Sequence, residues 1–197
     1  MTIVGLGLIG GSFALALRAQ LPRVRLVGVE RAAALASNAA PIPVDEAIAA
    51  DQREQARSAF AESELVFLAT PVATIEHWLG DALASGALVS DCGSTKRAIA
   101  RAAHGSSAAA RFVPGHPMAG VSGGLKQASA RLFEQQPWVL CPDGTDPAAF
   151  ALLAMAKHTR RFVNGFAGRG IRRTLGFARE QHRRARWWSG WQRAVEA

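Results

Sequence analysis

The chain has 197 residues, 49% of them hydrophobic and 19% charged, a globular composition that excludes a chain disordered throughout and gives length for one full domain and a partial second. Cys92 and Cys141 are its only cysteines and stand far apart, which excludes a disulfide framework and a cysteine-built metal site. The formal charge of +8 is unevenly placed: residues 1–156 carry 12 Lys and Arg against 13 Asp and Glu, whereas residues 157–197 carry 11 against 2, with three of the five tryptophans.

In chain order, Thr2-Ile3-Val4 is a short apolar strand that runs straight into Gly5-Leu6-Gly7-Leu8-Ile9-Gly10. This is G-x-G-x-x-G, in which the first glycine permits a tight turn, the second lets backbone approach a pyrophosphate and the third allows close helix packing. A helix from about Gly11 to Gln20 follows, and its N-terminal N–H groups and dipole suit an anion. The loop residues Gly5, Gly7, Leu8, Ile9 and Gly10 are the expected cofactor cradle, with a glycine-rich turn in some other α/β fold as the alternative. The apolar stretch Ile3 to Leu17 is too short to cross a bilayer and has no basic region before it, so no membrane segment and a cytoplasmic location are expected.

A second strand, Val24 to Val29, ends in Glu30 and Arg31. An acidic residue about 20 positions after the glycines is the expected partner of the adenosine ribose hydroxyls, and it repels a 2′-phosphate. NAD is therefore favoured, while the guanidinium of Arg31 keeps NADP open. The Ala-rich stretch Ala32 to Ala61 reads as helix interrupted at Pro41-Ile42-Pro43. Leu65 to Leu68 is a continuous apolar run, as expected of a strand buried on both faces of a parallel sheet. A helix over Val72 to Ala84, a strand over Leu88 to Ser90, a helix from about Lys96 to Ala103 and a strand over Arg111 to Val113 follow. Trp138 to Cys141 reads as another strand, and Thr145-Asp146-Pro147 as a helix start. The alternation predicts an α/β, Rossmann-like, doubly wound and mainly parallel sheet.

Ligands of such sheets lie beyond the C-terminal ends of the strands. Thr70 and Pro71 sit there and could approach the nicotinamide half, or form a plain strand–helix turn. Ser94 offers a hydroxyl to a substrate oxygen, or an N-cap to the next helix. His116, between Gly115 and Pro117, is the best acid/base candidate, because imidazole titrates near neutrality and can take the proton of an alcohol as hydride leaves. The competing reading is a structural loop histidine. No histidine has a partner at metal-ligand spacing, and His77, His104, His158 and His182 read as surface residues.

Four motifs in order, Val4-Gly5-Leu6-Gly7-Leu8-Ile9-Gly10-Gly11-Ser12, Ala69-Thr70-Pro71-Val72, Asp91-Cys92-Gly93-Ser94-Thr95-Lys96 and Gly115-His116-Pro117-Met118-Ala119-Gly120, resemble the prephenate/arogenate dehydrogenase family. Leu132-Phe133-Glu134 to Trp138-Val139-Leu140 is also similar, so the resemblance covers residues 1–156. It implies oxidative decarboxylation of prephenate to 4-hydroxyphenylpyruvate in tyrosine biosynthesis, or of arogenate to tyrosine. It further implies that His116 bonds the ring hydroxyl as base and that Ser94 orients that histidine or the hydroxyl. A non-catalytic dinucleotide-binding module and another β-hydroxyacid-type dehydrogenase are the alternatives.

The sequence departs from the family at Val121-Ser122-Gly123-Gly124, where members often carry a polar or charged pair followed by Ser-Gly. It also departs over residues 157–197, where the family has a long helical domain that forms the homodimer and supplies a second histidine and a substrate-binding arginine. Arg160-Arg161, Arg172-Arg173 and Arg183-Arg184-Ala185-Arg186-Trp187-Trp188 stand there instead, without the regular apolar stripe of a core helix. The expectation is a basic tail, helical or disordered, that arises from a reading-frame shift or truncation in a GC-rich coding sequence. A genuine nucleic-acid- or lipid-binding tail is disfavoured, because no groove-reading motif accompanies it.

Overall fold

The computed structural model describes residues 1–37, 41–120, 124–141 and 145–146. The expected helix after Pro147 and the basic tail lie outside the described residues.

Strand β1 (Thr2–Val4) leads into α1 (Leu8–Gln20), followed by β2 (Val27–Glu30), α2 (Ala32–Ser37), β3 (Glu46–Ala49) and α3 (Arg53–Ala61). The second half holds β4 (Leu65–Leu68), α4 (Val72–Ala84), β5 (Leu88–Asp91), α5 (Arg97–His104) and β6 (Phe112–Val113). These six strands form one sheet in the order β3-β2-β1-β4-β5-β6, and every neighbouring pair is parallel. This is the order of dinucleotide-binding doubly wound sheets, as expected.

Both faces of the sheet are covered, which explains the continuous apolar runs. Along β4, Leu65 and Phe67 enter one core with Ile3, Phe13 and Leu17, while Val66 and Leu68 enter the other with Val4, Phe60, Ile75 and Trp78. The first core is sealed by α1 and by the segment after residue 124. There the Phe13 and Phe67 rings pack at a tilt with centroids 4.4 Å apart, and Trp138 lies 5.9 Å from Phe67 and 5.3 Å from Phe133.

The first helix begins at Leu8 and not at about Gly11, and three further elements differ from the sequence reading. The second strand begins at Val27 and not Val24, because its ladder with β1 starts at Thr2, which faces Val27. Glu46–Ala49 is a strand inside a stretch read as helix. It pairs along its whole length with β2 at the sheet edge, and this pairing overrides an alanine-rich composition. Last, Gly115–Pro117 forms a strand, β7, that pairs antiparallel with β8 (Trp138–Leu140), so Trp138–Leu140 stands in a separate two-stranded sheet. That pairing fixes both neighbours of His116 in extended backbone.

Candidate functional site

The chain leaves β1 toward one face and β4 toward the other, so a crevice opens beyond the C-terminal ends of these adjacent strands. The glycine loop lines it. Gly5 has φ +91°, and a Cβ there would lie 2.6 Å from the Ala69 carbonyl oxygen. A Cβ on Gly10 would lie 1.8 Å from the Gly5 carbonyl oxygen, so α1 packs against its own entry turn only with glycine at this position. Gly7 differs, since a Cβ there would meet nothing within 4 Å among the described residues beyond its chain neighbours. The Gly11 N–H donates to the Gly7 carbonyl at 2.8 Å, which starts the helix at Leu8 and places Leu8 and Ile9 in its first turn.

Glu30 closes one side of the loop. Its carboxylate accepts the Leu6 N–H at 2.8 Å and the Arg31 N–H at 2.7 Å, one on each oxygen, which leaves lone pairs on both. The Arg31 guanidinium is 83% exposed and 3.7 Å from Glu30. On the β4 side, Pro71 caps α4 with its carbonyl, which accepts from Thr74 and Ile75. The Thr70 hydroxyl is buried and has no hydrogen-bond partner among the described residues. A buried polar atom left unpaired beside a glycine loop is the kind of group a ligand satisfies.

The third part of the site stands at the end of β5. Asp91 is fully buried. Its Oδ2 accepts the Gly93 N–H at 2.8 Å and the Lys96 ammonium, and its Oδ1 accepts the Gly115 N–H at 3.0 Å. Burial pushes the Asp91 carboxyl above its ordinary range, opposed by Lys96 and the two N–H donors. The next residue, Cys92, offers its carbonyl to Nδ1 of His116 at 3.0 Å. Burial, followed by the charge of Asp91, pushes the Cys92 thiol up to about 12, so it is no thiolate at neutral pH. Ser94 is exposed, and no side-chain bond caps α5, whose cap position is Lys96. The N-cap reading of Ser94 therefore falls away, and its hydroxyl remains accessible. The group that holds the His116 ring is the Cys92 carbonyl.

Comparison with known proteins follows the same lines. The family model described as prephenate dehydrogenase, nucleotide-binding domain, matches residues 13–161. The chain belongs to this family. It is 30% identical over 159 residues to cyclohexadienyl dehydrogenase of Zymomonas mobilis subsp. mobilis, covering 78% of this chain and 53% of the relative. It is 33% identical over 146 residues to prephenate dehydrogenase of Bacillus subtilis, covering 71% of this chain and 38% of the relative. The structure of prephenate dehydrogenase from Aquifex aeolicus in complex with hydroxyphenyl propionate and NAD+ superposes with a TM-score of 0.63 at 25% identity, over 82% of this chain and 56% of that one. The chain thus spans about half or less of the length of the curated relatives it matches.

Within this prephenate dehydrogenase nucleotide-binding domain, the structure gathers Ser94 and His116 at the end of β5, Thr70 and Pro71 at the end of β4, and the glycine loop with Glu30 at the ends of β1 and β2. Sequence reasoning missed the Asp91–Lys96 pair. The available signal was an acidic residue at the end of a predicted strand with a lysine five positions on. Among the described residues no group of His, Cys, Asp and Glu could hold a metal ion, and no helix is long and apolar enough to cross a membrane.

Proposed function

We propose that the chain is the cofactor half of an NAD-dependent dehydrogenase that oxidatively decarboxylates prephenate. The observation that carries this reading is the bond from His116 Nδ1 to the Cys92 carbonyl. A carbonyl only accepts, so Nδ1 bears the hydrogen and Nε2 of the neutral ring is the free base. Family membership and the accessible hydroxyl of Ser94 support the same assignment.

The residues present fit NAD. Open space over Gly7 admits a pyrophosphate, the first turn of α1 presents N–H groups to it, and Leu8 and Ile9 lie in that turn. Gly5 and Gly10 give the loop its shape. Glu30 has lone pairs free for ribose hydroxyls and repels a 2′-phosphate, while Arg31 bounds the adenine side. The unpaired Thr70 hydroxyl, with Pro71 stiffening its turn, serves the nicotinamide half. NAD, when bound, supplies the hydride acceptor.

The protein's share of the chemistry is orientation and one proton. His116 Nε2 takes the proton of the ring hydroxyl as the carbon bearing it gives up hydride. Loss of carbon dioxide then leaves the electron pair in the ring, which becomes aromatic, and His116 returns the proton to the phenolic oxygen. Ser94 bonds the same hydroxyl and keeps it on the base.

The test is calorimetric NAD binding on the purified full chain, followed in the same preparation by NADH formation with prephenate and, separately, with arogenate. Binding with prephenate turnover is expected. Turnover of arogenate alone would move the substrate, and binding without turnover of either would leave a non-catalytic dinucleotide module.

A further inference from the structure

The geometry points to the buried Asp91–Lys96 pair as the positioning device of His116, a carboxylate clamp that ties the two catalytic loops together and fixes the imidazole in its Nδ1–H form. The inference rests on His116 being the base of the proposed reaction.

One carboxylate holds three donors from two separate loops. Oδ2 takes the Gly93 N–H and the Lys96 ammonium, which folds the Ser94 loop back onto the end of β5. Oδ1 takes the N–H of Gly115, so the backbone that enters His116 is fixed from the same atom group. The residue after Asp91 then holds the ring itself through its carbonyl. His116 is thus anchored twice, at the N–H of its preceding residue and at Nδ1, and both anchors belong to residues 91 and 92.

The packing admits no slack around this clamp. A Cβ on Gly93 would lie 3.0 Å from Asp91 Oδ2 and 2.7 Å from Ile99 Cδ1, and one on Gly115 would lie 3.0 Å from the Asp91 carbonyl oxygen. Both glycines bring backbone N–H groups to a carboxylate that is 0% exposed. A carboxylate this deep is strongly disfavoured by desolvation unless a cation and further donors compensate. Lys96, 19% exposed, is that cation. Without it the carboxyl group takes a proton or draws in water, and either change breaks the set of bonds that holds the two loops.

The experiment reads the tautomer directly. The full chain, labelled with 15N-histidine, is examined by long-range 1H–15N correlation at about pH 9, above the ordinary imidazole range. The five histidines are sorted by comparison with His116→Asn. His116 is expected in the Nδ1–H form, whereas an unconstrained imidazole favours Nε2–H. Lys96→Met is expected to lose that excess and Lys96→Arg to keep it, with kcat for prephenate falling about 10- to 100-fold in Lys96→Met alone. A wild-type His116 in the Nε2–H form would overturn the inference without any variant, and so would a folded Lys96→Met with the wild-type tautomer. Should the chain turn over no prephenate while the tautomer responds as expected, the clamp stands and the reading of His116 as the base of this reaction falls.

Discussion

The imidazole Nδ1 of His116 and the carbonyl oxygen of Cys92 are 3.0 Å apart, a contact across 24 residues that joins strand β7 to the end of the parallel strand β5. It fixes which ring nitrogen is basic. His116→Ala removes that base and is expected to lower kcat for prephenate by about 10³-fold, within the usual range for a general acid–base group. The hydrogen bond of His116 runs to the Cys92 carbonyl and not to the glycine loop or Glu30, so NAD affinity should stay within about twofold of wild type, a change of under 0.5 kcal/mol. Steady-state NADH formation and calorimetry on one preparation check this. Equal loss of turnover and NAD affinity would sink the catalytic assignment.

The glycines of the loop separate fold from ligand. In Gly10→Ala the new Cβ would lie 1.8 Å from the Gly5 carbonyl oxygen, backbone that cannot move without displacing α1 from β1. This variant is expected to lower the melting temperature by several degrees and to lose NAD binding with it, as overpacking costs about 1–3 kcal/mol or more. Gly7→Ala puts its methyl group where, beyond its chain neighbours, no atom of the described residues stands within 4 Å. Its stability should change by no more than about 1 kcal/mol, the cost of exchanging glycine for alanine at a helix cap, while NAD affinity falls at least tenfold. If Gly7→Ala binds NAD as well as wild type, the pyrophosphate does not sit over Gly7.

Much of this arrangement was legible in the sequence, for physical reasons that also explain what was not. Leu65–Leu68 and Val72–Ala84 were readable because a strand buried on two faces is uniformly apolar and because Pro71 marks where the next helix begins. The roles of Gly5 and Gly10 followed from spacing, since the turn and the helix contact are local. Glu46–Ala49 was not readable, because a strand with one buried residue, Ile48, is specified by β2 beside it and not by its own composition. The anchors of His116 were hidden for the same reason. One is a backbone carbonyl that any residue could supply, and the other passes through a carboxylate whose link to the His116 strand, the Gly115 N–H 24 residues on, is made only by the fold.

On the proposed reading, Glu30 carries the choice between cofactors. Its two oxygens already accept the Leu6 and Arg31 N–H groups, so it is held in place before any ligand arrives. Glu30→Gln keeps an acceptor but loses the charge and sets an amide N–H against one of those donors. We expect NAD affinity to fall about tenfold, the difference of about 1.4 kcal/mol between a charge-assisted and a neutral hydrogen bond. NADP should gain in relative terms, because the repulsion of its 2′-phosphate is gone and Arg31 is exposed nearby. Dissociation constants for both cofactors decide the matter, and an unchanged NAD to NADP ratio would remove Glu30 as the discriminating group.

Acid stability tests a contact away from the site. Asp45 accepts the Leu26 N–H at 2.7 Å and the Arg18 guanidinium at 2.8 Å, and these bonds, the backbone one foremost, hold its carboxyl below the ordinary range. A carboxyl depressed in the folded state binds its proton more readily once the chain unfolds. The stabilisation is therefore complete above the unfolded value of about 3.9 and disappears as pH falls through the lower folded value. The side chain is 47% exposed, so solvent screening keeps the ion-pair part below about 1 kcal/mol. Asp45→Asn should melt below wild type at neutral pH, and the two curves should converge on acidification below about pH 4. A gap in melting temperature that stays constant from neutral pH into that range would show that the substitution costs packing and not the charged contacts of Asp45 with Leu26 and Arg18.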